Sequence, residues 1–426
     1  MSIYYKITNK DEIHYGYKYK DGLNILEEKF NENINDDCGI GGLYFTTIEH
    51  IHEFYDFGEN LRVVELPLDD SNFKMVKLKN KFRANMIILK EKYNFNDLND
   101  FKEIYKLNTH YNYNIYNIEI LEWLKNINYD FNNEKHIIDH VSSNGYVNVL
   151  EWFKKSDYKF KHDNNAINYA SMKGHVHVLE WFKNSDYEFK YDKFAINLAS
   201  SNGHVHVLEW FKNSGYEFNH DENAINYASK NGHVNVLEWF KNSGYEFKYD
   251  EWAFNYASGN GHVNVLEWFK NSGYEFKYNE QIFYYASSNG KVCILEWFKN
   301  SGYEFKYADS ITYASEYGCI NVLDWFKNSG LIFKYDEGAI DRASDNGHVN
   351  VLEWFKNSGY EFKYDEYAIY YASKKGHIHI LEWFKNSGYE FKYDAEMCKD
   401  LSEDVIKWFE DSGYNIKTNK SYCIIS

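Results

Sequence analysis

The chain has 426 residues, with 47 Lys+Arg against 64 Asp+Glu and a formal net charge of -17. Such an acidic excess excludes a binder of duplex DNA or RNA, because phosphate neutralisation needs clustered Lys and Arg. At 44% hydrophobic and 26% charged the composition is globular, and the single proline, Pro67, excludes a Pro-rich linker or collagen.

The five cysteines, Cys38, Cys293, Cys319, Cys398 and Cys423, form no Cys-x-x-Cys pair. Neither a zinc site nor a disulfide framework is indicated, and a reduced intracellular compartment is expected. The first twenty residues are too polar for a secretory signal. No run of 18 apolar residues exists, so no membrane span is expected.

Residues 1–107 carry no long period. Residues 3–7, 43–46, 61–66 and 86–89 read as strands separated by Gly-rich or acidic turns, which predicts a small β-rich N-terminal domain over 1–107. Gly39-Ile40-Gly41-Gly42 reads as a turn and not a phosphate loop, since no Gly-Lys-Ser/Thr and no helix follow it. Residues 96–106 then read as a capping helix and 118–128 as the second helix of a first half unit.

Beyond that point the chain repeats. Tryptophan falls at Trp123, Trp152, Trp181, Trp210, Trp239, Trp268, Trp297, Trp325, Trp354 and Trp383, every step being 29 residues except one of 28. Trp408 follows after 25, and only Trp252 lies off the register. This period fits one supersecondary element stacked on its neighbours. Within a unit, 224–229 reads as a short helix ended by Gly232, and 234–244 as a second helix. Val234, Val236, Leu237, Trp239 and Phe240 cover most of that second helix, as suits an element sandwiched between neighbours. Asn235, Glu238, Lys241 and Asn242 remain polar, and Glu238 with Lys241 is expected to pair at i, i+3. Residues 245–249 alternate as an extended link, and Asp250 is placed to cap the next helix. Residues 396–413 lose the Gly-His pair but keep Val405, Ile406, Trp408 and Phe409 as an inward face, as an end repeat should.

Ala228-Ser229, then Gly232-His233, Val236-Leu237 and Gly244, recurring over about seventy per cent of the chain, resemble the ankyrin repeat. The short, Trp-Phe-rich variety looks like the ankyrin-repeat proteins of giant DNA viruses, mimivirus-like ones in particular. The family's Thr-Pro-Leu-His opening is absent, and the unit is about four residues short of the usual 33. The resemblance implies a mainly α fold: a curved ankyrin-like α-solenoid of about nine full units over 108–394 with its hairpin fingers cut to stubs. A degenerate cap and tail would occupy 395–426. The N-terminal residues resemble the leader domain of the same viral family, which brings no activity with it.

Candidate chemistry is sparse. His175, His204, His233, His262, His348 and His377 share one register, which Tyr146, Lys291 and Cys319 occupy in other units. A ligand would not tolerate those exchanges, so a structural role is expected, bonding backbone between units. His177, His206 and His379 complete three His-x-His pairs. On a helix, i and i+2 point about 200° apart, so chelation is not expected, and no metal or cofactor is assigned. The Trp-Phe pairs are read as core in preference to a base-stacking ladder. The carboxylates of the Glu238 type, ~10 Å apart between units, read as a solvated face.

Positions that differ between units gather before and along the first helix, the concave side by the resemblance. Glu316, Asp341 and Asp345 are among them, and Trp252, Tyr284, Tyr317, Arg342, Tyr367 and Tyr370 are of types enriched in binding hot spots. They are the expected partner-binding residues. Cys423-Ile424-Ile425-Ser426 fits a prenylation signal with Lys417 and Lys420 as a thin basic flank, which would give weak, reversible membrane association. The expected function is a monomeric, non-enzymatic scaffold holding a partner protein inside a cell, in the host cytoplasm if the chain is viral. The alternatives are a ubiquitin-ligase substrate adaptor, with Leu66-Pro67 as a faint F-box-like start, and an enzyme acting through the N-terminal domain.

Overall fold

A computed structural model describes residues 3–36, 39–107, 116–131, 137–156, 158, 162–395 and 401–416. It divides into two compact units, Met1–Ala170 with His177–Lys190, and Ser171–Val176 with Tyr191–Ser426. Among the described residues no helix is long and apolar enough to cross a membrane.

The first unit opens with strands: β1 (Tyr4–Thr8), β2 (Ile13–His14), β3 (Tyr17–Lys18), β4 (Gly22–Ile25), β5 (Leu43–Phe45), β6 (Asn60–Glu65), β7 (Met75–Lys77), β8 (Phe82–Ala84) and β9 (Met86–Asn94). A 3-10 helix, Ile48–Phe57, separates β5 from β6. One sheet runs β1-β6-β9-β4 and a second β5-β8-β7, with every pairing antiparallel. The four strands expected from the sequence are β1, β5, β6 and β9. Leu66-Pro67 leads out of β6 and starts no helix. Leu43, Phe45, Val64, Ile87 and Leu89 fill the core with Tyr19.

Charged side chains are buried there too. Lys6 donates to the Tyr44 carbonyl at 3.0 Å and lies 4.3 Å from the Tyr19 ring centroid. Burial lowers its ammonium to about 7, with Glu12 opposing the shift. Arg83 is 0% exposed. Its guanidinium donates to the Asn33 carbonyl at 2.7 Å, the Asp36 carbonyl at 2.9 Å and the Tyr44 hydroxyl at 3.2 Å. A Cβ at Gly42 would stand 2.0 Å from Arg83 Cγ, so only glycine fits. The Gly-rich turn is therefore folded around an arginine.

Helices follow: α1 (Leu98–Leu107), α2 (Ile118–Asn126), α3 (Ile137–Ser143), α4 (Val147–Lys155), α5 (Asn164–Met172) and α6 (Val176–Asn184). The division between units passes through α5 and α6. The second unit continues with α7 (Lys193–Ser201), α8 (Val205–Ser214), α9 (Asn223–Lys230), α10 (Val234–Ser243), α11 (Trp252–Asn260), α12 (Val263–Ser272), α13 (Gln281–Ser288) and α14 (Val292–Ser301). Then come α15 (Ser310–Glu316), α16 (Ile320–Asn328), α17 (Gly338–Asp345), α18 (Val349–Ser358), α19 (Glu366–Lys375), α20 (Ile378–Ser387) and α21 (Glu403–Ser412). The fold is mainly α, with helix pairs following a small β-rich region.

Local rules fix each pair. An aspartate accepts the backbone N–H two residues on and opens the first helix: Asp192 from Phe194 at 2.9 Å, Asp250 from Trp252 at 3.0 Å, Asp365 from Tyr367 at 2.8 Å. The second helix stops where Gly244 turns left-handed at φ 86°. Ser243 closes that end, donating to the Phe240 carbonyl at 2.8 Å and accepting from Tyr245 N at 3.1 Å. Ala224, Ile225 and Ala228 of the first helix and Val236, Leu237 and Phe240 of the second are fully buried. Each large side chain so buried contributes roughly 1.5–3 kcal/mol, and the alanines let neighbouring first helices pack side by side. Among the described residues the links form no strands, so the hairpin fingers are cut back as the period implies. At the far end Val405, Trp408 and Phe409 are buried as expected, and Ile406 is half-buried.

Candidate functional site

The functional surface emerges by subtraction, once the side chains that hold the units together are identified. The histidines are among these. His377 Nε2 donates to the Asp345 carbonyl at 3.0 Å, 32 residues back. His204, His233, His262 and His348 bond the backbone of Met172, Ser201, Lys230 and Glu316 at the same spacing. Burial, above all, holds these four rings below the usual imidazole range and so neutral. The position two residues on does the same work: His206 donates to the Gly174 carbonyl at 2.9 Å, Asn235 to Gly203 at 3.1 Å and Asn264 to Gly232 at 3.0 Å. A Cβ on Gly232 would meet His262 Nδ1 at 2.7 Å, which explains the Gly-His pairing across units.

The His-x-His geometry differs from expectation. His204 precedes α8 instead of lying on it, so the 200° argument does not apply, and its ring centroid is 5.4 Å from that of His206. Each ring is committed to a separate carbonyl. Among the described residues no group of three or more metal-capable side chains occurs.

The tryptophans and glutamates also depart from expectation. Phe240 is the core residue, whereas Trp239 beside it is half-buried. Trp268 Nε1 donates to Glu238 of the preceding unit at 2.8 Å, Trp239 to Glu209 at 2.8 Å, Trp297 to Glu267 at 2.8 Å and Trp354 to Asp324 at 2.7 Å. Glu238 is exposed, as a solvated face requires, but it is not free. The Trp268 and Asn242 hydrogen bonds hold it below the usual carboxylate range. Lys241 turns to the ring in place of the expected pairing; its ammonium lies 5.8 Å from the Trp268 ring centroid. One unit thus grips the next unit's indole by its edge and its face.

The first helices carry the remaining aromatic surface. Trp252 on α11 lies 5.1 Å from Tyr256 and 6.2 Å from Tyr285, centroid to centroid. Tyr284 on α13 meets Tyr285 at 5.2 Å and Tyr313 on α15 at 4.9 Å. Its hydroxyl is 2.7 Å from that of Tyr317, which is 47% exposed. That hydrogen bond, with burial second, pushes the Tyr284 phenol up to about 12. Three expected residues, Trp252, Tyr284 and Tyr317, therefore share one aromatic run. Tyr367 and Tyr370 form a second cluster on α19 with Tyr371, at 5.7 and 5.1 Å from it. Arg342 is exposed on α17 and joins neither cluster. Asp341 is buried instead of facing outward, and Asp345 is half-buried. Cys423, the expected lipidation position, lies outside the described residues.

Sequence reasoning missed Tyr256, Tyr285 and Tyr313. They stand at one register, which Tyr227, Arg342 and Tyr371 also occupy. A search confined to positions that differ between units passes over them; the recurrence of tyrosine at the repeat spacing was the available signal.

No protein-family model matches the chain. A stretch of 123 residues is 45% identical to an ankyrin repeat protein of Acanthamoeba polyphaga mimivirus, covering 28% of this chain and 59% of that one. An uncharacterized protein of the same virus is 48% identical over 103 residues, 24% of this chain and 75% of the relative. A further ankyrin repeat protein of that virus is 43% identical over 102 residues, 24% of this chain and 30% of the relative. The chain thus spans from about a third to three quarters of the length of these relatives. Among solved structures, the human ASB11 ankyrin repeat domain aligns with a TM-score of 0.27 at 14% identity, covering 48% of this chain and 90% of that one. With the repeat, the helix pairs and these viral relatives together, the chain belongs to the ankyrin repeat proteins of the mimivirus type.

Proposed function

We propose that this protein is a non-enzymatic scaffold that holds a partner protein on the aromatic face of its first helices. The observation that carries the reading is the run from Tyr256 through Trp252, Tyr285 and Tyr284 to Tyr313 and Tyr317. It lies on the first helices, away from the Trp–Glu bonds that join the second helices. Large amphipathic rings supply contact area at little conformational cost, and Trp, Tyr and Arg dominate binding hot spots. In this reading residues 1–107 are a separate β-rich domain, 108–394 the binding array and 395–426 a cap and tail. The acidic balance of -17 favours a protein partner over nucleic acid.

Replacing Trp252, Tyr284 and Tyr367 together with alanine tests it. Affinity purification from infected host cells should lose the specific partner by tenfold or more, while the thermal melt keeps its shape. Undiminished capture by the triple variant refutes the reading.

A further inference from the structure

The one 28-residue step has a structural counterpart. Where other units begin with a capping aspartate, or with Asn279 in the unit before, Ala308 stands instead, and α15 shrinks to 7 residues. α13 and the shortened α15 are neighbours among the first helices. A groove of about 810 Å³ opens between them. Its walls are aromatic, with Tyr284, Tyr285 and Tyr313 among them, and Ile332 lies at its edge. Ile332 is 76% exposed and takes a position where the neighbouring units carry Glu304 and Glu361.

The lining itself is balanced in charge, but Glu304 and Glu316 act on lining residues from outside it, so carboxylates outnumber ammoniums there by four to two. Glu280 and Asp309 line it, and each stands at a helix start without capping it through its side chain. Burial first, then Asp309, Glu316 and Glu280, raise the Tyr313 phenol above its ordinary value, so three carboxylates act on one ring. Two lysines also line the groove. Lys306 is held by Glu280 at 3.6 Å and Glu304 at 3.7 Å; Lys334 is exposed. Elsewhere on the same face tyrosine rings already take ammonium groups: Lys230 lies 5.5 Å from the Tyr256 centroid and Lys374 5.6 Å from that of Tyr370.

We propose that the groove between α13 and α15 receives an arginine-bearing extended segment of a partner protein. The aliphatic stem lies along Ile332 and the tyrosine faces, and the guanidinium reaches Glu280 and Asp309. This rests on the scaffold reading and adds the chemistry of the partner. Arginine is favoured over lysine because its planar head stacks on rings and sheds water more readily.

The test is fluorescence anisotropy on the full chain with three labelled dodecapeptides, alternating glycine with arginine, glutamate or tyrosine. The arginine peptide should bind at least tenfold more tightly than either of the others. Glu280→Gln with Asp309→Asn should weaken it at least tenfold. Glu222→Gln with Glu251→Gln, the same register in two regular units, should change it less than twofold. Equal losses from the two pairs would reduce the effect to the general acidity of the surface and overturn the proposal. So would a tyrosine peptide that binds as well as the arginine one. Both variant pairs change exposed side chains, so thermal melts separate a folding defect from a lost site. A chain that captures its partner through Trp252, Tyr284 and Tyr367 but ignores the arginine peptide refutes the groove and leaves the scaffold standing.

Discussion

The β-rich region and the helical array solve the same burial problem in opposite ways. In the first, strands distant in sequence meet: β1 pairs with β6, β4 with β9, and Arg83 gathers carbonyls of Asn33 and Asp36. Each contact occurs once. In the second, each hydrogen bond recurs about one unit further along, as Trp239–Glu209, Trp268–Glu238 and Trp297–Glu267 do. Uniqueness makes the first region all-or-none, whereas repetition makes the second close to a sum over neighbours.

The largest expected effect falls on the unique contact. Arg83→Ala should cost about 3–5 kcal/mol, since it leaves a cavity and strands buried carbonyls. The near-ultraviolet signature of the β region should vanish while the far-ultraviolet helical signal persists. Loss of the helical signal in step with it would show that the two regions are not independent in stability.

The next effect lies inside the array and depends on pH. Asn226 donates to Asp250 at 2.8 Å, and Asn197 to Asp221 at 2.7 Å. Asp341 holds that register opposite Asp365. Burial, then the Asp365 charge, raises its carboxyl to about 8, with Glu337 adding to the shift. A raised pKa means the folded state binds the proton more tightly, so the stability it confers is full below about pH 4 and declines as pH rises towards 8. Asp341→Asn restores the pairing that Asn197 and Asn226 make. It should stabilise the chain by ~1–3 kcal/mol at pH 7 and by almost nothing below pH 4, read by urea denaturation at both values. A gain that does not change with pH would discard the account.

The smallest effect tests repetition itself. Trp268→Phe keeps an aromatic ring but removes the N–H, and should cost ~0.5–1 kcal/mol. The Glu238 carboxyl should then rise towards its ordinary range, measurable by carbon-13 NMR, while Glu209 stays put. A shift at both would mean that the clips are coupled along the array.

Much of the fold was legible because its rules are local. Period, helix pairs, capping aspartates and C-terminal glycines all act within a few residues. What escaped reading depends on phase between neighbours. Periodicity marks Trp239 and Phe240 alike as apolar, and only the position of Glu209 in the adjoining unit puts the indole at the edge and the phenyl inside. The His-x-His pairs misled because helix geometry was applied to a residue just before the helix. Strand β8 was missed because Arg83 breaks its apolar pattern. Of the candidate surface, the variable residues were visible, but the shared tyrosines between them looked like scaffold.

The shortened unit at Ala308 acts like a dislocation in a crystal row. A strictly periodic face offers a visitor several equivalent berths, each one translation from the last, and occupancy would be spread among them. A single missing residue removes that degeneracy and supplies an origin from which every other position can be counted.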